Sequence, residues 1–146
     1  LLQAGDLPAN GVSFQTISAW LKANPAQAQQ IMEQNPRYVF MRPLGPLPDD
    51  QGAPGTLGVP VTAGRTLAVD KTDIPLGTPI FVATTDPVTH APLNRLTIAQ
   101  DTGGGIHGAQ AADLFFGAGP QAEEIAGRMQ QPGSLYILLP KPGPTY

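Results

Sequence analysis

The chain has 146 residues, 41% hydrophobic and only 13% charged, which suits one domain with a buried core and excludes charge-driven disorder. A net charge of −3 and eight scattered Lys and Arg leave no basic stripe for nucleic acid. Cysteine is absent, which excludes a disulfide scaffold or a thiolate metal site, and no stretch reaches the roughly 20 apolar residues of a membrane-spanning helix. Leu1 opens no basic region with a cleavage site behind it, so the chain reads as a mature or truncated piece. Seventeen Gly and seventeen Pro, without a period, predict short strands joined by tight turns.

Ser13 is placed to cap a helix whose apolar side is Phe14, Ile17, Trp20 and Leu21. Asn24-Pro25 opens a second helix, which ends before Pro36. Together they predict a helical hairpin over residues 1–36, with Trp20, Ile31 and Met32 as its contact. Residues 37–42 (RYVFMR) suit a strand, and the Pro- and Gly-rich stretch 43–60 predicts a long loop, mobile or functional.

Strands are then expected over 65–69, ending at Asp70, over 79–84 (PIFVAT), and over 95–100 (RLTIAQ), ending at Asp101. Residues 112–116 form a short apolar segment. Pro120 starts a third helix, with Glu123 and Glu124 near its start and Arg128 near its end, matching the helix dipole. Pro132-Gly133 breaks it before a last buried strand over 134–140 and a loose tail over 141–146. This order suits a small closed or partly closed barrel.

The densest cluster of candidate chemistry lies in DTGGGIHGAQAADLFF. Asp113, between Ala112 and Leu114-Phe115-Phe116, is expected in an apolar setting where a carboxyl group keeps its proton. Asp101 meets a glycine run, Gly103, Gly104 and Gly105, whose N–H groups suit an ionised carboxylate and whose backbone is free to take positive φ. Unequal carboxyl environments suit divided acid and base roles. The alternative is that Asp101 caps a turn and Asp113 pairs with a nearby donor. Asp70 reads as a support or a substrate contact, and Asp73 as a turn residue. His90 reads as a surface loop residue. His107 is either exposed or a substrate contact. The spacing of histidines and aspartates resembles no metal site.

The ordered segments GVPVTAGRTLAVD, IPLGTPIFV, NRLTIAQDTGGGIHG, ADLFFGAGPQAEEIAGRM and SLYILLP resemble the three-aspartate (3D) domain, and more closely the C-terminal part of the membrane-bound lytic murein transglycosylase A family. NPRYVFMRPL resembles the segment that enters the domain. The resemblance implies a mainly β fold, a double-psi β-barrel over 37–140 preceded by the helical hairpin. It implies cleavage of the β-1,4 bond between N-acetylmuramic acid and N-acetylglucosamine in peptidoglycan, with a 1,6-anhydro end left on the muramic acid.

Asp113 then falls on the catalytic acid, with Asp101 and Asp70 in support. Thr102, Gly103, Gly104 and His107 fall on the glycan-binding loop. No cofactor or metal is implied. Gly105 and His107 depart from the alanine and lysine common in related sequences. The family's N-terminal half and its inserted domain are expected as partners outside this chain. The expected location is the periplasm, with an outer-membrane anchor through the missing N-terminus. Two other readings of the same residues are a non-catalytic peptidoglycan-binding barrel and a two-carboxylate inverting hydrolase.

Overall fold

The computed structural model describes residues 1, 5–36, 39–48, 51–141 and 143, in two compact units, 1–43 and 44–146. The first is helical: α1 is Phe14–Ala23 and α2 is Pro25–Glu33. Ser13 caps α1 reciprocally. Its hydroxyl accepts from the Thr16 N–H at 3.1 Å, and its own N–H donates to Thr16 Oγ1 at 2.9 Å. Two donors that a helix start would leave orphaned are thus satisfied. The Asn24 side chain closes the helix on the Trp20 carbonyl at 2.9 Å, and Pro25 opens α2 where no N–H is needed.

No residue of either helix is buried. Of the expected hairpin contact, Trp20 and Ile31 are half-buried, while Met32 is exposed. The strand expected over 37–42 is not formed at 39–42, and residues 37 and 38 lie outside the described residues. Val39 and Met41 lie exposed.

The second unit is a five-stranded half-barrel in the order β4-β1-β3-β2-β5. Its strands are β1 Thr66–Val69, β2 Pro79–Thr85, β3 Pro92–Asp101, β4 Ala112–Leu114 and β5 Ser134–Ile137. A short helix, α3, covers Pro120–Ala126 and carries an exposed Arg128–Glu124 ion pair at its end. β1 runs parallel to β3, and every other pairing is antiparallel.

Alternation along the strands builds the core from Leu67, Val69, Ile80, Val82 and Ala99, joined by Ile74 from the β1–β2 connection, with Ala112, Leu114 and Leu135 packed on it. Buried Thr97 keeps its hydroxyl satisfied on the Ile80 carbonyl at 2.8 Å. The last strand is shorter than expected and is not buried. Tyr136 and Ile137 are exposed, because β5 is an edge that pairs with β2 alone. Of the tail, residues 142 and 144–146 lie outside the described residues.

Candidate active site

The site forms where β1, β3 and β4 run side by side. The β1–β3 register goes from Leu67↔Ala99 directly to Ala68↔Asp101, so Gln100 is an extra residue, a β-bulge. Simple alternation would put Asp101 on the core side with Ala99. The bulge instead sets it opposite Ala68, and on the other flank Ala68 pairs with Asp113 of β4. The two carboxylates therefore lie in one row across the sheet, their backbones about 10 Å apart at ordinary strand spacing.

Asp113 is exposed, contrary to the apolar setting its chain neighbours suggest. Ala112 and Leu114 pair with Val69 and Leu67 and turn to the core, so the residue between them faces the other way. Its carboxylate looks toward the glycine loop. A Cβ on Gly103 would lie 3.8 Å from Asp113 Oδ2 and 2.8 Å from the side chain of Ile106. Gly103 thus permits close approach. Left-handed backbone in this loop falls on Gly108, with φ 81°, and not on the run of three glycines.

Ile106 anchors the loop, buried and donating its N–H to the Gly103 carbonyl at 3.0 Å. Asp70 ties down its far end. Oδ2 accepts from the Gly108 N–H at 3.0 Å, while Oδ1 accepts from the Thr72 hydroxyl at 2.7 Å and the Thr72 N–H at 3.0 Å. The Thr72 hydroxyl first, then the Gly108 and Thr72 N–H groups, with a smaller contribution from the His107 charge, lower the Asp70 pKa to about 2. Asp70 is an ionised strut for the loop. His107 is exposed, and so is His90, which sits at φ 60° in the β2–β3 turn. Asp73 is a turn residue, its N–H on the Asp70 carbonyl at 3.2 Å.

A residue not singled out from the sequence completes the site. Within the expected long loop, residues 51–61 fold into a narrow hairpin with Gly52 and Val61 bonded across its base and a bridge between Pro54 and Pro60. Its tip meets the end of β3. The Leu57 N–H donates to the bulge carbonyl of Gln100 at 3.0 Å, and Asp101 Oδ1 accepts from both the N–H and the hydroxyl of Thr56 at 2.9 Å. Gly55 makes this approach possible, since a Cβ there would lie 2.6 Å from the Gln100 carbonyl oxygen. The only trace in the sequence is the pair of glycines around Thr56 and Leu57 within a proline-rich loop.

Beside the row lies a cavity of about 570 Å³. It is lined by residues of both edge strands, among them Asp113, Leu114, Ser134 and Leu135, and by Leu67 and Met129. No group of three or more His, Asp or Glu side chains suited to a metal ion occurs among the described residues. A row of two carboxylates beside a backbone-rich loop is suited to proton transfer on a polar, hydroxyl-bearing substrate.

A family model described as "3D domain" matches residues 65–139, and one described as "MltA specific insert domain" matches residues 1–42. Membrane-bound lytic murein transglycosylase A of Escherichia coli (strain K12) is 30% identical over 149 residues, covering 98% of this chain and 40% of that protein. Among solved structures, the membrane-bound lytic murein transglycosylase from Agrobacterium tumefaciens is 36% identical, with a TM-score of 0.82 over 96% of this chain and 38% of that one. E. coli MltA with bound chitohexaose is 27% identical, with a TM-score of 0.81 over 94% of this chain and 42% of that one. The chain spans about 40% of the length of the curated relatives it matches.

Proposed function

The chain belongs to the 3D domain family within the membrane-bound lytic murein transglycosylases A, and on that premise we propose that it carries the acid–base residue of a peptidoglycan-cleaving enzyme. The observation that carries this reading is the Asp113–Ala68–Asp101 row beside the Gly103 loop. The substrate is the glycan strand of peptidoglycan. Relatives named for murein, one of them with bound chitohexaose, support that choice.

In this reading Asp113 donates a proton to the oxygen joining muramic acid C1 to the next sugar, and that C1–O bond breaks. The muramic acid's own 6-hydroxyl oxygen then bonds to C1 while its proton returns to Asp113. The product is a 1,6-anhydro ring, no water is consumed, and one carboxyl group serves twice. Asp101 and Asp70 hold the surroundings: Asp101 shapes the row, and Asp70 fixes the loop through Gly108. Thr102, Gly103, Gly104 and His107 line the glycan's path.

We further place the remaining strands of a double-psi β-barrel, and the opposite wall of the glycan groove, in the length that the relatives have beyond this chain. The two outer strands, β4 and β5, border one cavity, and that supports the placement. The relatives' names support a cell-envelope location, with the active domain in the periplasm facing the murein.

The test is made on a protein that joins this chain to the remaining length of its relatives. Asp113→Asn is expected to cut release of anhydro-ended fragments at least 1,000-fold, with the wild-type melting temperature retained. Full activity in that variant removes Asp113 from the role. Mass spectrometry of wild-type products decides the reaction type, because a two-carboxylate hydrolase leaves reducing ends. Binding of murein with neither product would instead favour a binding barrel.

A further inference from the structure

The Thr56 hydroxyl has one hydrogen, and two hydrogen-bonding groups meet it. Thr56 Oγ1 lies 2.9 Å from Asp101 Oδ1, to which it donates, and 2.8 Å from Thr102 Oγ1. A carboxylate oxygen that also receives the Thr56 N–H at 2.9 Å is an acceptor twice over. With the Thr56 hydrogen directed to Asp101, the hydrogen between the two threonines belongs to Thr102. The chain of bonds therefore has a direction, from Thr102 to Thr56 to Asp101.

We infer that Thr56 is a positioning residue of the site. It occupies Asp101 Oδ1, so that any proton Asp101 carries sits on Oδ2, and it turns the Thr102 hydroxyl into an acceptor toward substrate. Thr102 then receives a hydrogen bond from a sugar hydroxyl or an acetamido N–H. A substrate carbonyl, which has no hydrogen to give, is not a match for it. The hairpin of residues 51–61 exists in this shape because Gly55 and Leu57 dock on the Gln100 bulge, so one irregularity in β3 both turns Asp101 into the row and brings Thr56 to it. This role rests on the glycan-cleaving reading above and names which bonds around that site are fixed before substrate arrives.

The experiment uses the protein extended to the length of its relatives, with murein as substrate and anhydro-ended product as the readout. Thr56→Val keeps the backbone donor and the side-chain shape and removes the hydroxyl. It is expected to lower kcat roughly 10-fold or more, the range for one lost bond to a charged group. Thr56→Ser is expected to restore kcat to within about 3-fold. In an Asp101→Asn background, Thr56→Val is expected to cause little further loss, since it acts through Asp101.

If valine misfolds, the pair Thr56→Ser and Thr56→Ala decides the matter in the same way. Wild-type kcat in Thr56→Val, or a loss of equal size with and without the Asp101 carboxylate, overturns the assignment. Asp113→Asn, run in parallel, separates the two readings. If it is inactive while Thr56→Val is normal, only the role of Thr56 falls. If it is active, the glycan-cleaving assignment falls and this one with it.

Discussion

The helical unit and the half-barrel reach order by opposite routes. Residues 13–33 are set by contacts three or four positions apart: the Ser13–Thr16 box, the Asn24 cap on Trp20, and Pro25 at a helix start. They bury no residue of either helix. The half-barrel is set by pairings between strands distant in sequence, and there Leu67, Val69, Ile80 and Ala99 are almost fully removed from water. Local signals decide that a helix forms, whereas burial supplies most of the stability. A functional site that must hold carboxylates in a fixed row belongs in the second kind of region.

The sharpest way to break this contrast is Leu67→Ala. Leu67 is 1% exposed and pairs with both Ala99 and Leu114, so its truncation is expected to cost about 2–5 kcal/mol. Urea unfolding followed by a probe in the half-barrel measures it. Ser13→Ala comes next. Loss of the reciprocal cap is expected to cost the helical unit about 1 kcal/mol, seen as reduced helical circular dichroism and not as a change in the half-barrel transition.

The smallest effect concerns acid. The Asp70 carboxylate has a pKa lowered to about 2 from 3.8, so its support of the loop is complete above the ordinary value and is lost as pH falls through about 2. The Gly108 amide proton is expected to shift with that midpoint in NMR, and Asp70→Asn is expected to remove the step. A midpoint near 3.8 in the wild type would mean that the Thr72 and Gly108 bonds do not form in solution.

Much of the half-barrel can be read from the chain. PIFVAT and RLTIAQ are short β-prone runs set between turn signals, and they form β2 and most of β3. Asp70 and Asp101 fall at strand ends as their positions suggest. The setting of Asp113 is misread when its sequence neighbours are taken as its surroundings, because in a strand adjacent residues face opposite ways. SLYILLP is apolar yet largely exposed, since apolarity reports what a segment prefers and not whether a partner covers it. The pinning of Asp101 by Thr56 is not legible at all. It joins residues 45 positions apart through a bulge that no local pattern announces.

That bulge has a consequence for which sequence changes the chain can survive. The bulge carbonyl of Gln100 bonds through backbone, so the feature depends on how many residues β3 contains more than on which residue stands at 100. Substitution there gives up the bond that its side chain accepts from Thr66 but leaves the count intact. Deletion of that one residue would leave Asp101 directly after Ala99 and still opposite Ala68, but would remove the extra carbonyl that receives the Leu57 N–H, so the hairpin that brings Thr56 to Asp101 would lose its seat. The site is written in the reading length of a strand, so a three-base deletion at codon 100 is a graver lesion than most missense changes around it.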